Sequence, residues 1–113
     1  MPTNSLEPIP LRVYTIKFND EADYRMGLEL LPNARIAAAG LHSEAALRID
    51  VHNWYDDDAY RIVLDASCDA GMTVLKILTT LLDYEIDPNR FEIKPATASE
   101  LKLVNNWKQS KLD

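Results

Sequence analysis

Cysteine, glycine and basic charge are all scarce in this chain, and each scarcity removes a class of explanation. A single cysteine, Cys68, in 113 residues excludes an intrachain disulfide and fits a reducing compartment. Three glycines, Gly27, Gly40 and Gly71, lie too far apart to build a phosphate-cradling loop. Lys and Arg number 12 against 18 Asp and Glu, a formal net charge of −6. Nucleic acid is held mainly by cationic side chains, so it is not an expected partner. No apolar run approaches the roughly 20 residues of a membrane helix, so no membrane partner is expected either. Residues 1–10 lack an apolar core and hold three of the six prolines. They read as an extended leader rather than a signal peptide. The expectation is a soluble, cytoplasmic protein with a leader over 1–10 and a single domain over 11–113. No family motif is present.

What the chain has is 47% hydrophobic residues, enough for one globular core, and clear periodicity. Leu11–Phe18 alternates and predicts a first strand. Tyr24, Met26, Leu28 and Leu30 match period 2 and favour a second strand, although the acidic run before them also suits the start of a helix. Pro32-Asn33 reads as a turn and Arg35–Leu41 as a third strand. Leu47, Ile49 and Val51 alternate with Arg48, Asp50 and His52. Tyr60, Ile62, Leu64 and Ala66 do the same further on, so the two runs predict a hairpin around an acidic turn.

A strongly apolar helix is expected from about Asp69 or Ala70 to Asp83 or Tyr84, capped by Ser67 or Asp69, with Thr73, Lys76, Thr80 and Asp83 as its polar stripe. Phe91–Lys94 reads as a short edge strand closed by Pro95. Thr97-Ala98-Ser99-Glu100 matches a capping box that opens a C-terminal helix reaching about Lys111. The predicted class is α+β: an antiparallel meander of about five strands on one apolar helix, plus the short strand and the last helix. The alternative makes Asp20–Leu31 a helix and gives a ferredoxin-like order with additions. In the hairpin, cross-strand numbers summing to 113 or 111 would oppose Arg48 to Asp65 or Asp50 to Arg61.

The acid is concentrated. Asp50, Asp56, Asp57, Asp58, Asp65, Asp69, Asp83, Glu85 and Asp87 face only Arg61 and Lys76, so residues 50–87 carry −7. His52 with Asp56, Asp57 and Asp58 has the donors of a divalent-metal site but matches no calcium-loop spacing, so no metal and no cofactor is expected. Cys68 precedes the apolar helix, where a thiolate is favoured, yet Asp65 and Asp69 oppose that charge, and a base, His42 or His52, would have to reach it through the fold. His42-Ser43-Glu44 has the residue types of a triad, but neighbours in sequence rarely converge as one.

No catalytic set emerges. The expected function is a small non-enzymatic interaction module, such as an inhibitor, immunity-type or adaptor protein. It would dock a basic protein through an acidic, aromatic face made of Trp54, Tyr55, Asp56, Asp57, Asp58 and Asp50. Homo-oligomerisation remains open. The alternative is a small-molecule-binding or regulatory domain with an apolar pocket between sheet and helix. An enzyme using Cys68 or the His52 cluster is the third reading.

Overall fold

The computed structural model describes residues 12–102. Its elements are β1 (Val13–Phe18), α1 (Glu21–Leu41), α2 (Glu44–Asp50), β2 (Asn53–Asp56), β3 (Arg61–Asp65), α3 (Asp69–Glu85) and β4 (Phe91–Pro95). A final helix, α4, covers 98–102 within the described residues. The four strands form one antiparallel sheet in the order β2-β3-β1-β4. The class is α+β. Setting aside α2 and α4, the path is β-α-β-β-α-β, and the sheet read from its other edge runs 4-1-3-2. That is the ferredoxin-like arrangement with additions.

The five-strand meander is not seen, because residues 24–30 and 35–41 lie in one 21-residue helix. Its buried residues include Tyr24, Gly27, Leu31, Ala34 and Ala38, spaced alternately three and four, which is the helical interval. Asp20 caps it by accepting from the Asp23 amide at 2.9 Å, and Glu21 and Asp23 complement the positive end of its dipole. Period-2 counting missed this stripe because a glycine and small alanines do the packing. At Gly27 a methyl group would lie 2.6 Å from the Phe18 ring, so the helix approaches β1 only where no side chain intervenes. Pro32 sits inside the helix on an exposed position; the packed stripe outweighs the hydrogen bond it removes.

The first strand of the expected hairpin is also helical as far as Asp50, with Val51 extended beyond the helix end. Ser43 caps α2 by accepting from the Ala46 amide at 3.0 Å. Buried Leu47 and Val51 are four apart, a spacing that serves a helix as well as a strand. Neither expected register can form, since Arg48 and Asp50 lie in α2. The hairpin falls later, with Trp54 opposite Val63, Tyr55 opposite Ile62 and Asp56 opposite Arg61.

The other elements stand where the periodicity placed them. The cap of α3 is Cys68 rather than Ser67 or Asp69, its sulfur accepting from the Gly71 amide at 3.3 Å. Helices α1 and α3 cover one sheet face, burying Ile16, Phe18, Leu31, Ile62, Leu64, Val74, Leu78 and Leu82 almost completely. The other face carries a smaller cluster in which Val13 and Val63 meet Trp54, Ala96 and Leu101. The capping box forms as expected: the Thr97 amide donates to Glu100 Oε1 at 2.8 Å, and the Glu100 amide donates to Thr97 Oγ1 at 3.3 Å. The expected leader and the helix beyond 102 lie outside the described residues.

Candidate functional site

The acidic, aromatic residues expected to form one face are divided by the pleat of β2. Trp54 and Asp56 project to the α4 side of the sheet with Val63 and Arg61, while Tyr55 projects to the α1–α3 side with Ile62. Asp57 and Asp58 occupy the turn. Asp50 is the last residue of α2, and its side chain lies outside the described part of the structure.

Asp56 organises the hairpin. Its Oδ1 accepts from the amides of Asp58 and Ala59 at 3.2 and 3.1 Å. Its Oδ2 accepts from Arg61 Nη2 at 2.6 Å. The Arg61 hydrogen bond holds the Asp56 carboxyl below its ordinary range, against partial burial and with help from the turn amides. Arg61 also donates from Nη1 to Glu100 Oε2 at 2.9 Å. Glu100 is only 4% exposed. Burial pushes its carboxyl up, but the Thr97 amide, the Thr15 and Thr97 hydroxyls and Arg61 outweigh it, and the net shift is downward. One guanidinium thus joins the turn end of the hairpin to the start of α4.

Asp57 is held differently. The buried Tyr24 donates its phenol proton to Asp57 Oδ1, which ties the turn to the first turn of α1. Burial, then that carboxylate, push the phenol well above its ordinary value. Tyr24 also meets the rings of Phe18 and Tyr60, with centroids 6.1 and 5.8 Å away. Tyr60 adopts φ 56°, a left-handed conformation costly for a bulky residue. It is held there by this ring contact and by the Phe18 amide, which donates to its carbonyl at 3.0 Å.

Two of the three turn carboxylates are therefore engaged within the fold, and Asp58 points to solvent. Trp54 is half-buried in the smaller cluster. Tyr55 is 55% exposed, its hydroxyl accepting from Asn53 Nδ2 at 2.7 Å. A second exposed aromatic, Tyr84 (85%), lies among Asp83, Glu85 and Asp87 where α3 ends without a basic residue.

The catalytic alternatives find other uses in the structure. His42 closes α1, and its Nε2 lies 2.7 Å from Thr73 Oγ1. The same hydroxyl lies 3.0 Å from the Asp69 carbonyl, one turn back in α3. Ser43 caps α2 and Glu44 pairs with Arg48 at 2.7 Å, so the three neighbours serve helix ends. His52 packs its ring 6.3 Å from that of Trp54. No cluster of three or more His, Cys, Asp or Glu suited to a metal occurs among the described residues. None of the described helices is long and apolar enough to cross a membrane.

Sequence reasoning missed the partners that fix these positions. Arg35 donates to the Leu47 carbonyl (3.0 Å), the Val51 carbonyl (3.2 Å) and Asn53 Oδ1 (3.1 Å), pinning the α2–β2 junction to α1. Arg90 lies 3.3 Å from Asp20 and 3.0 Å from Asp23, clamping the start of α1 to the entry of β4. No local pattern announces contacts between segments this far apart. An open groove of about 450 Å³ lies between α1 and α2, lined by Ile36, Ala39 and Leu47 among others. A smaller cleft of about 200 Å³ borders Thr15, Lys17, Arg61, Lys94 and Glu100 on the α4 side. Family models, curated protein sequences and solved structures yield no match to this chain.

Proposed function

We propose that the chain is a small, non-enzymatic interaction module that docks a basic protein through the β2–β3 hairpin, as an inhibitor, immunity-type or adaptor protein would. The observation that carries this reading is Tyr55, more than half exposed on a strand that runs into three consecutive aspartates. Tyrosine gives large contact area at low entropy cost and is enriched among binding hot spots. The −7 carried by residues 50–87 would steer a cationic partner toward the same part of the molecule. Trp54 and Asp56 support the reading indirectly, by holding the hairpin rigid from the far side of the sheet.

The alternative, an apolar pocket between sheet and helices, has less behind it. Phe18, Leu31, Ile62, Leu78 and Leu82 fill that layer, and the two clefts described above lie outside it. The test is affinity capture at rising ionic strength with the native chain and a Tyr55→Ala/Asp57→Asn/Asp58→Asn variant. The expected result is a basic protein retained at low salt by the native chain, at least tenfold depleted on the variant and released by salt. Equal retention on both would reject the hairpin as the site.

A further inference from the structure

The two edges of the sheet are finished differently, and the hydrogen-bond phase shows which groups each presents. The Asp65 amide donates to the His52 carbonyl at 3.0 Å, so residues 52, 54 and 56 of this segment turn their main-chain groups toward β3. In an antiparallel ladder the alternate residues point the other way. The N–H and C=O of Asn53 and Tyr55 therefore face outward, and among the described residues no strand pairs with them. At the opposite edge the Ala96 amide donates to the Val13 carbonyl at 2.8 Å and the Asn19 amide to the Arg90 carbonyl at 3.2 Å. There Phe91, Ile93 and Pro95 face outward, and Pro95 has no N–H to offer. Proline at an outward position, with Lys94 beside it, is how natural sheets blunt an edge. The β2 edge carries neither device. It has Asn53, Tyr55 and an acidic end.

We infer that β2 is a docking edge that receives an extended, lysine- or arginine-bearing segment of the partner as a fifth strand. This rests on the reading of the hairpin as the site for a basic partner and adds how that partner binds. Strand addition takes affinity from main-chain hydrogen bonds and specificity from alternate side chains. A segment beside β2 would set its cations near Asp57 and Asp58 and an apolar residue on the Tyr55 ring. A second copy of this chain is disfavoured as the occupant, because it would bring another run of three aspartates to the same place.

The probe is an acetylated, amidated heptapeptide alternating lysine and valine, titrated into ¹⁵N-labelled protein at low and high salt. Amide exchange is followed on the native chain, and affinity is compared with Tyr55→Pro and Asp57→Asn/Asp58→Asn. Proline at 55 removes an outward donor and leaves the β2–β3 ladder untouched. The expected result is salt-sensitive binding that slows exchange of the Asn53 and Tyr55 amides at least tenfold. Affinity should fall tenfold or more in Tyr55→Pro and severalfold in the double asparagine variant. Salt-sensitive binding without amide protection, and equal in Tyr55→Pro, would overturn strand addition while leaving the acidic hairpin as a docking surface. Absence of binding at low salt would overturn both. If Tyr55→Pro does not fold, exchange in the native chain decides alone. Concentration-dependent pairing of the chain through this edge would overturn the choice of occupant.

Discussion

Replacing Arg61 by methionine removes a cation that satisfies both Asp56 and Glu100 while keeping the length of its apolar stem. The two carboxylates should respond unequally. Glu100, 4% exposed, would keep the Thr97 amide but lose its ion pair. Stranding a buried charge in this way costs about 3–5 kcal/mol in well-buried pairs. The Arg61 and Asp56 side chains are 29% and 31% exposed, so solvent screens part of the loss, and a pair of that kind contributes at most about 1 kcal/mol. Allowing for water reaching Glu100 once Arg61 is gone, the net cost should be about 2–3 kcal/mol. For a domain of 113 residues that lowers the melting temperature by roughly 10 °C. Urea unfolding followed by tryptophan fluorescence gives the free energy, with an unchanged slope showing that the unfolded state is the same. Arg61→Met combined with Glu100→Gln should recover about half of the loss, since the stranded charge is then absent. A loss below about 0.5 kcal/mol, or no recovery in the double variant, would refute the assignment of Arg61 as the link between hairpin and α4.

The remaining predictions concern the same supports. Tyr24→Phe deletes the phenol that holds Asp57, and should cost about 1 kcal/mol with faster amide exchange confined to residues 57–60. Gly71→Ala should cost about 1–3 kcal/mol in urea unfolding, because the added methyl would meet the Asp65 carbonyl and lie 3.1 Å from Ala66 Cα, both of them backbone. Asp56 and Glu100 titrate lower in the folded chain than in ordinary carboxylates, so the unfolded chain binds more protons between the two ranges. Their contribution is complete above the ordinary carboxylate range near pH 4 and disappears as pH falls through the folded values. Urea midpoints should therefore drop more steeply below pH 4 in the native chain than in Arg61→Met.

Which parts of the fold were legible follows from where the information lies. The helix α3, the strands β1 and β4, and the Thr97–Glu100 box each rest on residues close in sequence, and each formed. The long helix α1 was obscured because its buried stripe runs through Gly27, Ala34 and Ala38, whose value lies in their small size against β1 and α3. Tyr24, Met26, Leu28 and Leu30 alternate, yet only Tyr24 among them is fully buried. The short helix α2 was hidden by Leu47 and Val51, which satisfy both periods at once. Misreading it moved the hairpin toward the N-terminus and placed Trp54–Asp56 in a turn, although Asp56 and Arg61 close the strand pair. At the site, composition brought out the aromatic and acidic residues. It could not show that Asp56 and Asp57 are bound by Arg61 and Tyr24, since those partners are set by tertiary contact.

The docking role of the hairpin is tested most directly by placing a photo-crosslinking benzoylphenylalanine at position 55, and in a second sample at position 84. Tyr84 is the more exposed of the two and has acidic neighbours of its own, so it controls for adhesion of any cation to any acidic, aromatic spot. The expected result is a single adduct from position 55 with a protein of basic isoelectric point, suppressed by salt and by Asp57→Asn/Asp58→Asn, and none from position 84. An adduct from position 84 alone, or one from position 55 indifferent to salt and to the aspartates, would contradict it.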